Sequence, residues 1–573
     1  MKSCSSNLLT QHPTPGISTV AGIELNVGTI NGGTVLQIIR LGPFQNCLQI
    51  SLNHHQHLIY IVGHMSDASD ASDAVSTPST VFSRVAASAV WKRLNRLMPA
   101  LAAAVILLMG FVLIAATPAG HIPDVWAHTY RIDGIVNGDV LARPVDSTSI
   151  LHSGSGNVGG CVSRDWIQFS IDHYDGYDPA AVNADFLERY GMGSTTAGSG
   201  TNSTSTANTN ACVDTPYNNA AVNSPVAYLP QLAAFAIGAA STLTSGTTYV
   251  LAEVIMLLVY AGCMFAAVAA LPRWRLPMAL LLVSPPLIFR YSFAISADSM
   301  AQALCLLFAC LLFSCMADPR AGNGRLAALM TVGVLMGMSK FTFTPLLLLG
   351  FLALIPCHSA ARHPLPRLTA PRIAIVAAGN IIGFAFLAAW MKLTGWFTTT
   401  PSIVSYEAMT AKKSQLFAEP FSANGLFGAI ASIAHAIITG QSNLDSRMQT
   451  LVILSLWAVL AMLLIALIAA TAKRVFSARM GWFWWCACAG ATGIILLTYL
   501  ALWLQYTPAN ATGVDGVQFR YFLPLSGIFT LCACECVAGL WRRASHASHA
   551  TPRASRTASE STAVPSAADA ARA

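Results

Sequence analysis

Residues 98–131 read MPALAAAVILLMGFVLIAATPAGHIPDVWAHTYR, and this stretch decides the fold class. Its first nineteen residues, 98–116, carry no charge and approach the roughly 20 apolar residues that a helix needs to cross a bilayer. A polar segment with an acid, two histidines and an arginine follows at once. Further apolar runs lie at 248–270, 276–290, 298–316, 325–338, 343–357, 372–392, 449–471, 481–503 and 521–540. The pattern predicts an all-α polytopic membrane protein with about ten transmembrane helices.

The composition of the 573-residue chain agrees with a lipid environment. Hydrophobic residues make up 54% and charged residues only 10%, against about 25% charged in an ordinary soluble chain. The net charge of +7 is not gathered into basic stretches interleaved with aromatic residues, so we predict no nucleic-acid partner. No P-loop, Gly-x-Ser-x-Gly or HExxH motif is present, which argues against the enzyme classes that carry them.

The distribution of Lys and Arg predicts the topology. With ten spans and a cytoplasmic N-terminus, the inner segments hold 19 basic residues and the outer segments 11. Cytoplasmic loops carry the excess of positive charge in membrane proteins. This count favours a hairpin over 325–357, bent at 339–342, rather than one long span. We therefore expect a multi-pass plasma-membrane protein with both termini cytoplasmic.

The regions outside the spans follow from composition. We predict a disordered cytoplasmic segment at 1–97, with Met65 as the expected start of translation, and a disordered cytoplasmic tail at 541–573. The transmembrane domain, 98–540, carries an extracytoplasmic lobe at 117–247 after the first helix and a second outer loop at 393–448. A Gly/Ser/Thr/Asn-rich stretch at 191–211 in the lobe is typical of a flexible insert.

Cysteine usage supports the placement of the lobe. Cys161 and Cys212 flank the flexible insert on the oxidising side of the membrane, where a disulfide can form. Cysteine pairs in apolar helices have no histidine partner, so we predict no metal site there. The run Asp172-x-x-Asp175-Gly176-x-Asp178 is typical of a solvated acidic turn; a divalent cation is the alternative, and no other cofactor is indicated.

Polar residues near the ends of spans indicate a functional site, because ionisable groups near hydrocarbon are costly. Each has a structural explanation when taken alone. An acid can stabilise a helix N-terminus, Lys and Arg can be snorkelling anchors, and a loop histidine needs no function. Under the ten-span topology, however, all of them lie on the outer side. The set comprises Asp124, His128, Arg131, Tyr228, Gln231, Arg290, Asp298, Lys340, Gln518, Arg520 and Tyr521.

The same segments carry a family resemblance. Pro123-Asp124-x-x-x-His128-x-x-Arg131 resembles the "P-D-E-x-x-H-x-x-R" signature of the bacterial domain-of-unknown-function 2142 family of membrane proteins. The other matching segments, in order over roughly 98–540, are Pro225-x-x-Tyr228-x-Pro230-Gln231, Ser296-Ala297-Asp298, Lys340 with Thr344-Pro345, and Val517-Gln518-x-Arg520-Tyr521-Phe522-Leu523-Pro524. Two positions depart from the family pattern, since Val125 replaces a second acid and Phe519 replaces Gly.

The resemblance implies a function by fold-level analogy. The family resembles glycosyltransferases of the C superfamily (GT-C), which use lipid-phosphate sugar donors. The resemblance implies transfer of a sugar from a polyprenyl-phosphate-linked donor to an envelope glycan or lipid acceptor. Asp124 would be the catalytic base, and His128 would orient Asp124 or take its place. Arg520, Lys340 and Arg290 are assigned to the lipid phosphate and Asp298 to Lys340 or sugar hydroxyls. The other motif residues assigned to substrate binding are Arg131, Tyr228, Gln231, Gln518 and Tyr521.

Two other classes of function stay open. A transporter or flippase would also gather charges in the membrane, although it commonly shows broken spans or internal repeats near the midplane. A non-catalytic scaffold of an envelope polysaccharide system would explain the missing second acid at Val125. The sequence thus predicts a membrane protein with a candidate site on one face. Its function is that of a glycosyltransferase, a transporter or flippase, or a non-catalytic scaffold.

Overall fold

The computed structural model describes residues 89–146, 157–173, 212–318, 321–355, 368–395, 406–439, 446–508, 511 and 513–549, together with five strands between residues 18 and 63. The chain divides into two compact units, Met1–Ser88 and Ala89–Ala573.

The N-terminal unit contains an antiparallel sheet. Its strands are β1 (Ser18–Val20), β2 (Ile23–Ile30), β3 (Gly33–Leu41), β4 (Leu48–Ser51) and β5 (Tyr60–Gly63), paired in sequential order. These strands lie within the segment 1–97, for which the composition predicted disorder. In β2, Ile23, Leu25 and Val27 alternate with polar residues at the period of a strand.

The second unit is mainly helical. In chain order its helices and strands are α1 (Ala89–Ala116), α2 (Val125–Val136), β6 (Arg143–Val145), β7 (Asn157–Ser163), α3 (Arg164–Asp172), β8 (Cys212–Pro216), α4 (Asn218–Ala221), α5 (Leu229–Ala240), α6 (Ser245–Ala270), α7 (Arg275–Leu282), α8 (Ala297–Ala317), α9 (Asn323–Ser339), α10 (Ala370–Thr394), α11 (Tyr406–Ala418), α12 (Leu426–Thr439), α13 (Ser446–Ala472), α14 (Ala478–Gln505) and α15 (Ser526–His549). Five 3₁₀ helices lie at Pro225–Tyr228, Arg290–Ser292, Phe341–Leu354, Phe519–Tyr521 and Leu523–Leu525.

Six helices among the described residues are long and apolar enough to cross a membrane, namely α1, α6, α8, α10, α14 and α15. Shorter apolar helices lie at Pro225–Ala240, Phe341–Leu354, Leu426–Thr439 and Trp457–Ala472. The chain is therefore a helical membrane protein with several apolar helices, as the sequence predicted. The predicted hairpin bend is also present, because α9 ends at Ser339 and a 3₁₀ helix starts at Phe341.

Several predicted boundaries are wrong. The run 276–290 does not form one helix, since α7 ends at Leu282 and Pro285 and Pro286 follow, whose rings remove backbone donors. The first helix begins at Ala89 rather than at 98, and the last helix, α15, extends to His549 rather than to 540. The predicted outer loop at 393–448 contains α11 and α12.

Helix α8 occupies the centre of the helical unit. Almost every residue from Ala297 to Met316 is buried, which is expected of a helix that is apolar all round. It packs against α6, α9 and α15. Its N-terminal residues are therefore held rigidly between neighbours at one end of the unit.

The lobe after α1 is a small α/β subdomain. Strands β6, β7 and β8 form an antiparallel sheet in that order, and α2 packs against β7. The predicted disulfide is confirmed, since Cys161 on β7 and Cys212 on β8 are bonded with their Cα atoms 5.2 Å apart. The flexible insert predicted at 191–211 lies outside the described residues. The end of the predicted lobe, 229–240, is the apolar helix α5, which packs on α6.

Candidate functional site

Four charged side chains from distant parts of the chain form one network, which we call the charged cluster: Asp124, Asp298, Lys340 and Arg520. Arg520 Nη2 donates a hydrogen bond to Asp124 Oδ2 at 2.7 Å, and Arg520 Nε lies 3.3 Å from Asp298 Oδ2. Lys340 Nζ donates to Asp298 Oδ1. Two carboxylates alternate with two cationic side chains, so the formal charges of the charged cluster sum to zero.

The charged cluster is built from helix ends. Asp124 lies beyond the C-terminal end of α1, and Lys340 directly follows α9. Asp298 lies in the first turn of α8, and Arg520 belongs to the 3₁₀ helix Phe519–Tyr521 that precedes α15. Because these residues touch, the four helix ends lie on one face of the helical unit. The sequence had placed all four residues on one side of the membrane.

The backbone at Asp124 is in a left-handed conformation, with φ 63° and ψ 3°, at the N-cap position of α2. Few residues other than Gly adopt this region, although Asp is among the more frequent. An N-cap aspartate commonly accepts a bond from its own helix, but this side chain makes none. Its carboxylate is committed to Arg520, whose Nη1 also donates to the Pro123 carbonyl at 3.4 Å. The strained turn therefore aims Asp124 into the charged cluster.

Asp298 and Lys340 are positioned by helix termini. The Ser296 hydroxyl caps α8 and accepts a bond from Asp298 N at 3.2 Å. An acid in the first turn of a helix also interacts favourably with the helix dipole. Lys340 has an extended backbone, with φ −144° and ψ 105°, which ends α9 and turns its side chain toward Asp298.

Two tyrosine rings line the charged cluster. The Arg520 guanidinium carbon lies 5.3 Å from the ring centroid of Tyr291 and 5.6 Å from that of Tyr521. Lys340 Nζ lies 4.5 Å from the Tyr521 centroid. All three distances fall within the range of cation–π attraction. Arg290 stacks at 5.9 Å on Tyr291, so it borders the charged cluster through this ring. Tyr291 was not among the predicted site residues.

Access to the charged cluster is uneven. The Asp124 side chain is 33% exposed, whereas Asp298 is 16% and Arg520 only 8% exposed. A ligand from the lobe side therefore meets Asp124 before it reaches the guanidinium. The Arg520 guanidinium is a poorly hydrated cation. Charge-assisted hydrogen bonds are strongest in such a poorly hydrated environment.

His128 lies one turn after Asp124 on α2 and pairs with a tyrosine. Its Nδ1 is 2.6 Å from the Tyr228 hydroxyl. Burial lowers the pKa of His128 to about 4, although Asp124 and Asp298 act in the opposite direction. The imidazole is therefore neutral at pH 7 and shares a hydrogen bond with the Tyr228 hydroxyl, but it supplies no fixed positive charge.

Three other predicted residues make hydrogen bonds outside the charged cluster. Arg131 is fully buried and donates to the carbonyls of Asp139 at 2.9 Å and Val140 at 2.7 Å. Gln231 Nε2 donates to the Ala294 carbonyl at 3.3 Å, and the backbone oxygen of Gln518 accepts from Tyr521 N at 3.1 Å. These contacts brace the lobe, the turn before α8 and the turn before α15, respectively. Substrate binding by these residues remains a prediction.

Glu253 was missed in the sequence analysis. It is a buried acid inside the apolar helix α6, only 6% exposed. The signal was available, because a single ionisable residue within a membrane span is unusual and often functional. Of the predicted acidic turn, Asp172 accepts a bond from Gln168, whereas Asp175 and Asp178 lie outside the described residues.

Comparison with known proteins gives the family. A family model described as "Predicted membrane protein (DUF2142)" matches residues 107–528, which is most of the chain and includes the whole charged cluster. No curated protein matches the chain. No solved structure matches it either. The chain belongs to the DUF2142 family of predicted membrane proteins.

Proposed function

We propose that this chain is a plasma-membrane glycosyltransferase that moves a sugar from a polyprenyl-phosphate donor to a cell-envelope acceptor on the outer face. The proposal includes a ten-span arrangement with a GT-C-like fold and both termini cytoplasmic. The observation that carries it is the charged cluster, which offers a carboxylate and two cations at one end of the helical unit, where a lipid headgroup lies.

Two chemical features support a position of the charged cluster on the outer side of the membrane. The lobe that contains α2 also holds the Cys161–Cys212 disulfide, and disulfides persist in oxidising compartments. Helix ends on the opposite face carry basic residues, among them Arg273, Arg275 and Arg542. An excess of basic residues marks the cytoplasmic side. Both observations favour an outer charged cluster.

The donor phosphate fits the cations. Arg520 presents a planar guanidinium suited to bidentate contact with phosphate oxygens, and Lys340 adds a point charge. Both cations are paired with carboxylates, Lys340 with Asp298 and Arg520 with Asp124. A phosphate that takes the place of Asp124 on Arg520 frees this carboxylate beside the sugar. Donor binding thus leaves the Asp124 carboxylate able to accept the proton of the acceptor hydroxyl.

The chemical step follows from this arrangement. The acceptor hydroxyl oxygen attacks the anomeric carbon of the sugar while its proton passes to the Asp124 carboxylate. The bond between the anomeric carbon and the phosphate oxygen breaks, and its electron pair stays on the polyprenyl phosphate. Arg520 and Lys340 stabilise the negative charge that the leaving phosphate retains. His128 orients the acceptor or Asp124 as a neutral hydrogen-bonding group.

The test is transfer from polyprenyl-phosphate sugars in proteoliposomes, with donor binding measured separately. Asp124→Asn removes the base while keeping side-chain size, so transfer should fall by about 100-fold with donor binding largely kept. Arg520→Ala should instead weaken donor binding. Matched controls are Asp146→Asn and Lys413→Ala, which change exposed outer residues away from the charged cluster.

Two results would overturn the proposal. If the Asp124→Asn variant transfers sugar at the wild-type rate, Asp124 is not the catalytic base. Failure of the wild-type protein to bind or turn over any such donor would favour the transporter or scaffold reading instead.

A further inference from the structure

A cavity lies at the end of the helical unit opposite the charged cluster. It has a volume of about 950 Å³ and is lined by the start of α1, the turn between α6 and α7, and the C-terminal half of α15. Helix α1 separates the two sites, because Trp91 at its start lines the cavity and Asp124 follows its end. A helix of 28 residues is about 42 Å long, so the cavity lies at the other membrane face.

The cavity combines tryptophans with arginines. Its lining includes Trp91, Trp274, Trp541, Arg273, Arg275 and Arg542, and several apolar residues of α15. Trp541 is 67% exposed. Tryptophan rings are enriched where the hydrocarbon meets the headgroup region of a bilayer. The chemistry of the lining is therefore that of a membrane interface.

The arginines in the cavity differ in how far their charge is balanced. Arg273 forms an ion pair with Glu535, through Nε at 2.5 Å and Nη2 at 2.9 Å, and Trp274 Nε1 donates to the same carboxylate. Arg275 donates to the Ala269, Leu271 and Asn95 carbonyls, and Arg542 to the Ala538 carbonyl. Carbonyl oxygens do not cancel a charge.

No acidic residue lines the cavity within the part of the chain that the structure describes. The site therefore carries the positive charge of Arg275 and Arg542. Exposed basic residues at the start of α1, including Lys92, Arg93 and Arg96, add to the positive potential at this face. The charge complements an anionic group, and the apolar wall from α15 complements an acyl chain.

We propose that this cavity binds one anionic phospholipid, with its phosphate between Arg275 and Arg542 and its acyl chains along α15. Basic pockets between helices on the cytoplasmic side are the general setting for such sites. The bound lipid would fix the turn after α6 against α15. The site is independent of the proposed transfer reaction, because its residues take no part in the charged cluster.

The test uses the full chain in nanodiscs or detergent with stated lipids. Native mass spectrometry should detect a phosphatidylglycerol adduct that resists activation and that phosphatidylcholine does not replace. Each arginine removed should weaken phosphatidylglycerol binding by about fivefold. Inorganic phosphate in millimolar excess should not displace the adduct, which distinguishes a lipid from a free anion.

The variants separate binding from folding. Arg542→Gln changes an exposed residue, whereas Arg275→Gln also removes bonds to the end of α6 and needs a thermal unfolding control. Arg543→Gln is the matched control, because it makes the same charge change one residue along α15 and does not line the cavity. The proposal fails if Arg542→Gln and Arg543→Gln weaken binding equally, if phosphatidylcholine binds as tightly, or if phosphate displaces the adduct.

Discussion

Replacement of Arg520 by glutamine tests the architecture of the charged cluster independently of any activity. The guanidinium contacts Asp124 at 2.7 Å and Asp298 at 3.3 Å and is only 8% exposed. Removal of one partner from a buried ion pair leaves an uncompensated charge, which costs about 3–5 kcal/mol. Asp124 can rehydrate because it is 33% exposed, so we expect the lower end, about 3 kcal/mol.

A more specific prediction is how much of this loss in the free energy of unfolding comes from each of the two carboxylates. A double-mutant cycle of Arg520→Gln with Asp298→Asn should give a coupling energy of about 2 kcal/mol, since both groups are buried. The cycle with Asp124→Asn should give less than about 1 kcal/mol, because water screens the exposed carboxylate. This ranking holds although the Asp124 contact is the shorter of the two.

The assay is reversible unfolding in mixed micelles of a mild detergent and dodecyl sulfate. Arg143→Gln is the control, because Arg143 and Asp214 form a short ion pair with both side chains more than 40% exposed, for which about 1 kcal/mol or less is expected. A larger coupling to Asp124 than to Asp298, or no coupling to either, would refute the burial argument.

Three further predictions concern the lobe and the topology. Burial raises the pKa of Asp133 to about 6, so between about pH 4 and pH 6 the folded lobe holds a proton that the unfolded chain has released. The free energy of unfolding should therefore fall by up to about 3 kcal/mol from pH 4 to pH 6. The Asp133→Asn variant should show no such slope in thermal unfolding scans. The disulfide closes a loop of 51 residues, and Cys161→Ser with Cys212→Ser should cost about 4 kcal/mol, whereas maleimide modification of both thiols in unreduced protein would show that the bond is absent. In a cysteine-depleted background, a Cys at Ser414 should react with impermeant reagent on intact cells and a Cys at Arg543 should not; the reverse pattern would invert the proposed topology.

The sequence predicted those parts of the fold that local physics controls. Apolar runs such as 98–116 and 298–316 fall within helices α1 and α8, because hydrophobic length is enough to specify a span even though the second run starts with Asp298. Lys340 interrupts an apolar stretch, and the predicted bend lies there. The run 276–290 was misread because its apolar composition hid the effect of Pro285 and Pro286 on backbone hydrogen bonding.

The site was predictable as a set of residues but not as a set of contacts. Counting basic residues placed Asp124, Asp298, Lys340 and Arg520 on one side of the membrane. The pairing of Arg520 with Asp124 joins residues 396 positions apart, and no local pattern specifies such a contact. Arg131 lies on α2, the helix that Asp124 precedes, yet its guanidinium donates to the carbonyls of Asp139 and Val140. Only the tertiary structure reveals these contacts.

The central claim is that the charged cluster receives the phosphate of a polyprenyl-phosphate donor. Cryo-electron microscopy of the protein in nanodiscs with added polyprenyl phosphate tests it most directly. We expect phosphate density within hydrogen-bonding distance of Arg520 and Lys340, with the Asp124 carboxylate released from the guanidinium. Phosphate density elsewhere, or an Asp124–Arg520 pair unchanged at saturating lipid, would contradict it.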